Sequence, residues 1–340
     1  MIRTLLLAAL LLLGLASPVL AKPLVAILVD PSGAETTDLT APFAILTEAG
    51  AVEVKIVSTT LAPARLMPGV AWVRPHETQA SFDRRHPQGA DMIIVPFIMD
   101  AKNPERAAWL RAQARRGVRI VSICDGAFVL AEAGLLEGRQ ATAHWASHGK
   151  RVKTYPSVAW RQDARWVTDG NITTSAGISA SAPVSLALLG ELAGDEVMQG
   201  TARRLGLPAP SRDHDATVYR LNANVVGTAA GNVLAFWRHD SVALKLEAGF
   251  DELAFGAALD GWTRSYRAKA WAVAPGGVTS RGGMTIYGAD QLPAFDRMAR
   301  LANARAIEAM LGDLGEAYGD PTARFVALQL EHPLWLAGGR

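Results

Sequence analysis

The chain reads as an α/β protein: a parallel sheet with helices on both faces, followed by a second, smaller α/β unit. Two observations predict the sheet. Residues 24–29, 92–95 and 118–123 are short, uninterrupted apolar runs, the pattern of strands buried on both faces, and helical stretches separate them. Asp38, Pro96 and Cys124 each follow the carboxyl end of such a run, where open parallel sheets bind ligands.

In chain order, residues 1–21 read as an export segment. Arg3 supplies positive charge, residues 5–15 are apolar but too few to span a bilayer comfortably, and Ser17-Pro18 precede small residues at Val19-Leu20-Ala21. The expectation is cleavage after Ala21 and a periplasmic or secreted protein with no membrane span once the segment is gone; an uncleaved anchor is the alternative. Residues 24–29 form the first strand. Asp38 precedes a helix with Pro42 in its first turn and a stop at Gly50. Residues 52–57 are the second strand, 70–73 a short one, and 92–95 a buried one closed by Pro96. Asn103-Pro104-Glu105 opens a helix to Arg116-Gly117. The buried run 118–123 ends at Cys124, and residues 126–133 turn helical at once. Short strands near 165–167 and 172–174 flank a turn at Asp169-Gly170-Asn171, and apolar helices follow to residue 205. Residues 206–232 read as a linker from the Gly206-Leu207-Pro208-Ala209-Pro210-Ser211 run, which leaves 233–340 as the second unit.

Composition narrows the function. Of 340 residues, 50% are hydrophobic and 19% charged, which excludes a disordered, collagen-like or coiled-coil chain. Lys+Arg number 34 against 32 Asp+Glu, with no basic run, so no nucleic-acid partner is expected. The single cysteine, Cys124, cannot form an internal disulfide or a cysteine-cluster metal site. No metal or cofactor is expected.

Cys124 stands where a buried strand passes directly into a helix, with Gly126 and Ala127 small enough for close packing. That is the pattern of a nucleophile elbow. A helix N-terminus there would lower the thiol pKa, and the Asp125 amide could bind an oxyanion. A buried structural cysteine is the alternative.

The run from Ser122-Ile123-Cys124-Asp125-Gly126-Ala127-Phe128 to Ala143-His144-Trp145 closely resembles the ThiJ/PfpI superfamily of class I glutamine-amidotransferase-like proteins. The branch it resembles holds isonitrile hydratases and the sensor domains of AraC-type regulators. Residues 169–177 and Asp38-Leu39-Thr40-Ala41-Pro42-Phe43 resemble the same branch. The resemblance covers residues 24–205, so the domain is drawn as 22–205. It implies a flavodoxin-like sandwich, an acid beside the cysteine at Asp38, a histidine near it at His144, and a homodimer. Asp38 could equally cap its helix, and His144 could satisfy a backbone group. Phe97, Asp125 and Gly126 are the candidate substrate-binding residues. Two departures stand out: Pro96-Phe97-Ile98 replaces a Pro-Gly-Gly that helps form the oxyanion hole, and Asp125 replaces a hydroxyl residue carried by the hydratases. An ionised Asp125 would oppose a thiolate.

The second unit resembles a degenerate copy of the first. Phe43, Lys55, Gly69 and Phe82-Asp83 match Phe255, Lys269, Gly283 and Phe295-Asp296 at separations of 212–214 residues, with chance similarity as the alternative. An Ala-rich helix is expected near 292–311 and another after Gly319-Asp320-Pro321. The AraC-type relatives carry DNA-reading units after this domain, but no basic recognition helix appears past residue 206. Two functions remain: a cysteine-dependent hydrolase, hydratase or amidase on a small polar substrate, with Cys124, Asp38 and His144 catalytic, or a periplasmic protein that binds or senses a small molecule without turnover.

Overall fold

The computed structural model describes residues 21–301 and 305–334, so the expected export segment lies outside the described residues apart from Ala21. Among the described residues no helix is long and apolar enough to cross a membrane.

The first unit is built on β1 (Leu24–Leu28), α1 (Thr36–Glu48) and β2 (Glu53–Ser58). A hairpin of β3 (Ala64–Met67) and β4 (Ala71–Val73) follows, then β5 (Met92–Val95), α2 (Pro104–Arg115), β6 (Arg119–Ser122) and the short α3 (Ala127–Glu132). The antiparallel pair β7 (Trp166–Asp169) and β8 (Ile172–Ser175) precedes α4 (Ser181–Ala193) and α5 (Asp195–Leu205). The seven-stranded sheet runs β7-β8-β6-β5-β1-β2 and ends on Glu77–Thr78; every pair but β7–β8 is parallel. β1 lies between β5 and β2, with Ile27 opposite Ile94 and Ile56. Helices cover both faces, which is why β1, β5 and β6 read as continuous apolar runs. One core cluster packs under α1 and α4, the other under α2 and α3.

Four readings need correction. Helix α1 begins at Thr36, earlier than Asp38, because the Glu35 side chain caps it; Pro42 therefore lies inside the helix and not in its first turn. β4 leaves the main sheet for a five-stranded one, ordered β11-β12-β4-β3 and then Ala34–Glu35, where β11 is Val278–Thr279 and β12 is Thr285–Tyr287. Within the residues assigned to a linker, α6 (Ala223–Leu234) forms, its first turn capped by Asn222 through the Val225 amide. The helix expected over 292–311 starts only at Ala306: Pro293 lies in the stretch before it, and that stretch instead supplies the short strand β13 (Arg297–Met298).

The second unit is a second β-α-β. β9 (Asp240–Lys245) and β10 (Ala268–Val273) are parallel neighbours joined by α7 (Glu252–Arg264), and β13 lies on the other side of β9. α8 (Ala306–Tyr318) and α9 (Asp320–Gln329) complete it. Both halves thus contain a parallel β-α-β with a thirteen-residue helix, and α1 and α7 align at a separation of 216 residues. Phe43 thus corresponds to Leu259, and Phe255 lies one turn earlier.

Candidate active site at the strand–helix elbow

β6 ends at Ser122, and the Ile123 and Gly126 amides close the turn on Val95 O and Ile123 O at 3.0 and 2.9 Å. Cys124 adopts φ 56, a left-handed conformation that costs a non-glycine residue about 1 kcal/mol or more. Gly126 makes the turn possible: a Cβ there would collide with the carbonyls of Val95 and Pro96. Its role is close packing on the end of β5, not lining of a cleft.

The thiol is buried, with 5% of Cys124 exposed. Burial pushes its pKa well above the ordinary value, and the charges of Asp38, Asp125 and Glu35 push it further. The Asp125 amide favours the thiolate, as do the charges of Arg264 and Arg151, but they do not offset burial and the carboxyl groups. This reverses the expectation of a lowered pKa. The helix behind the thiol has six residues, too few to outweigh desolvation and three carboxyl groups.

Asp38 does not cap α1. Glu35 does, accepting the Asp38 amide at 2.6 Å. That frees the Asp38 carboxylate, which is wholly buried and accepts the Phe97 amide at 3.2 Å and the Ser181 hydroxyl at 3.3 Å. Burial raises Asp38 to about 6, against the opposing Phe97 and Glu35 hydrogen bonds. Glu35 is pushed well above the carboxylate range by burial, then by Asp260 and Asp38, while Arg264 opposes the rise. The amide of Phe97, a candidate substrate-binding residue, is thus taken by Asp38, and the Phe97 carbonyl accepts the Glu35 amide at 2.9 Å.

His144 caps a short turn. The Ala146 amide donates to Nδ1 at 3.2 Å, which leaves the proton on Nε2, 2.8 Å from the Gln329 carbonyl. Both ring nitrogens are occupied, and neither bonds the thiol. Asp125, its pKa raised by burial, accepts the Ser147 hydroxyl at 2.5 Å with Arg151 at 3.8 Å.

Several site residues escaped the sequence reading. Glu35 stands three residues before Asp38, the spacing of a side-chain cap, and could have been found. Asp260 and Arg264 on α7, and Glu331 beyond α9, are remote in sequence and carry no motif. Arg264 reaches Glu35 at 3.3 Å and Asp260 at 2.7 Å, and Thr37 donates to Asp260 at 2.7 Å. Glu331 has φ 53 and accepts the amides of Gly177, at 2.8 Å, and of Trp145. Burial works against its charge, but the His214 hydrogen bond and the neighbouring histidines hold its pKa below the usual range. The segment from Gln329 to Glu331 is thereby tied to residues 144, 145 and 177 beside the thiol. Among the described residues no group of His, Cys, Asp or Glu is placed to hold a metal ion.

The profile of the DJ-1/PfpI family matches residues 24–191. An isonitrile hydratase of Pseudomonas putida is 32% identical over 181 residues, 52% of this chain and 75% of that protein. The HTH-type transcriptional regulator CdhR of Pseudomonas aeruginosa is 37% identical over 116 residues, and the chain spans only 34% of that regulator. Among solved structures, Drosophila melanogaster DJ-1beta aligns with a TM-score of 0.49 at 23% identity, over 55% of this chain and 100% of that one.

Proposed function

The chain belongs to the DJ-1/PfpI family, and on that premise we propose that it is a cysteine-dependent hydratase or hydrolase acting on a small polar substrate at a carbon–nitrogen multiple bond. One observation carries this reading: a cysteine held in a strained backbone conformation beside a carboxylate poised near pH 6. Strain of this kind persists where the surrounding structure maintains it, and functional sites are where it collects. The isonitrile hydratase of Pseudomonas putida supports the reaction class.

The thiol is protonated at neutral pH, so attack and deprotonation are coupled. The Cys124 S–H bond breaks as sulfur bonds the electrophilic carbon; the sulfur proton passes to Asp38 and from there to the substrate, to the nitrogen of a nitrile or to the terminal carbon of an isonitrile, leaving a thioimidate on Cys124. Water then adds to the same carbon, and the C–S bond breaks as Cys124 recovers a proton. The net change is addition of one water. Asp125 beside the thiol favours a neutral or cationic substrate over an anionic one.

The test is turnover of a panel of isonitriles, nitriles and small amides, followed by formamide, amide or ammonia release. Wild type is expected to convert at least one class, and Cys124→Ser and Asp38→Asn to lose at least about a hundredfold in rate. A second reading, non-catalytic sensing, is favoured by the low exposure and raised pKa of Cys124. Slow iodoacetamide labelling at every pH below 9, with no turnover across the panel, would put sensing ahead.

A further inference from the structure

The two β-α-β units correspond element by element, and the contacts between them have the pattern of an approximate twofold relation. In each, parallel neighbouring strands are joined by a thirteen-residue helix, and the caps Glu35 and Asp251, 216 residues apart, each accept the amide three residues on. A third parallel strand adds beside the first in both, β5 on β1 and β13 on β9. A hairpin follows the second strand in both. One strand of each hairpin, β4 and β12, pairs antiparallel with the other, Val73 opposite Ile286 and Trp72 opposite Tyr287. A twofold axis requires that direction. The helices α1 and α7 meet where Thr40 touches Gly256, and these positions are again 216 apart. Close approaches to glycine recur away from the axis: Gly69 makes room for Leu259, and Gly282, one residue before the sequence match of Gly69, makes room for Thr47, Glu252 and Phe43, the last the equivalent of Leu259.

Chemistry breaks the symmetry. Position 254, the counterpart of Asp38, is alanine, and the second unit has no thiol. It contributes instead the Asp260–Arg264 pair, whose counterparts on α1 are Ala44 and Glu48. Arg264 reaches across to Glu35, which hydrogen-bonds Asp38. Asp38 is faced by Glu35 before α1, by the Phe97 amide after β5, by Cys124 at the elbow, by Ser181 on α4, and by Asp260 and Arg264 on α7. Arg264 is the cation in that set.

We propose that the C-terminal unit is a built-in counterpart of a second subunit: it covers the twofold face of α1 and supplies Arg264 as the positioning cation of the Glu35–Asp38 pair, so that one chain forms a complete thiol site without a partner copy. What Arg264 does for catalysis rests on the reading of Asp38 as proton acceptor; its position beside the Glu35–Asp38 pair and the twofold relation do not.

The full chain serves for the test. Light scattering after gel filtration is expected to give the mass of one chain, and a two-chain mass that persists on dilution overturns the self-sufficient site. Carbon-13 NMR of aspartate carboxyls, with Asp38 identified by its loss in Asp38→Asn, reads the positioning role. Arg264→Gln is expected to move the Asp38 titration upward by about one pH unit or more, and Arg264→Lys to restore most of it. Asp260→Asn removes the opposite charge and is expected to move it downward. An Asp38 titration that Arg264→Gln leaves in place overturns the assignment. Should Arg264→Gln not fold, absence of a downward shift in Asp260→Asn does the same. The alkylation profile of Cys124 against pH separates the two readings. If Asp38→Asn leaves it unchanged while the Asp38 titration still responds to Arg264, the proton-acceptor reading fails and the positioning cation stands.

Discussion

At the scale of single residues, Asp38 sits where stability alone would not put a carboxylate. Its pKa is near 3.9 in an unfolded chain and about 6 in the fold. Between those values the folded protein binds more protons than the unfolded one. The fold therefore loses stability as pH rises from about 4 to about 6, by an amount on the order of 3 kcal/mol. Asp38→Asn removes the ionisable group while its amide oxygen can still accept the Phe97 amide. The variant is expected to melt higher than wild type at pH 7.5 and close to wild type at pH 4, as read by calorimetry. A gain of equal size at both pH values would sink the assignment. The same residue is expected to be essential for turnover, so activity and stability should move in opposite directions.

At the scale of elements, the elbow depends on one glycine. A methyl group on Gly126 meets backbone carbonyls that cannot swing aside, so Gly126→Ala is expected to cost about 1–3 kcal/mol and to lower the melting temperature. Gly149, in the helix His148–Thr154, has open space where a Cβ would stand, and Gly149→Ala is expected to be neutral or stabilising by up to about 1 kcal/mol. Chemical denaturation of the pair checks both; equal effects would contradict the close approach at Gly126. The cover over the thiol is testable at this scale too. Glu331→Ala removes the acceptor for the Gly177 and Trp145 amides, and iodoacetamide labelling of Cys124 is expected to quicken several-fold. Unchanged labelling would mean that residues 329–331 do not guard the thiol. The strands of the main sheet were legible because burial on both faces writes an unbroken apolar run. The hairpin 64–73 was only half legible, since β3 alternates Ala64 and Leu66 inward with Arg65 outward and is too short to stand out. Helix α6 was hidden behind a Pro-rich approach, although Asn222 marked its start.

At the scale of the molecule, the strand-to-helix turn at Cys124 was legible because a buried apolar run passes straight into a helix in the local sequence. The direction of the thiol pKa was not. It depends on burial and on Glu35, Asp38 and Asp125 converging from separate segments, which no local pattern records. Nor was the contribution of α7, since Arg264 meets Glu35 only through the packing of one unit on the other. That packing also sets how the chain should unfold. The larger core cluster runs from Val25, Phe43 and Leu66 in the first unit to Leu244, Phe255 and Leu259 in the second without a break. The hairpin sheet crosses between the units through β4 and β12, and Val70 also bridges Trp271. Separable domains meet across smaller and more polar surfaces, and they tend to melt independently. Here the surface each unit would expose on parting includes Phe43 and Leu259, both fully buried. Losing one unit strips the other of its core and leaves the Glu35–Asp38 pair without Arg264. Scanning calorimetry is therefore expected to show one transition, with van't Hoff and calorimetric enthalpies that agree. Near-UV circular dichroism should report the same midpoint, and Cys124 should become fully reactive there and no earlier. Two resolved transitions, or a thiol freed well below the midpoint, would show that the second unit is a detachable neighbour and not part of the site's foundation.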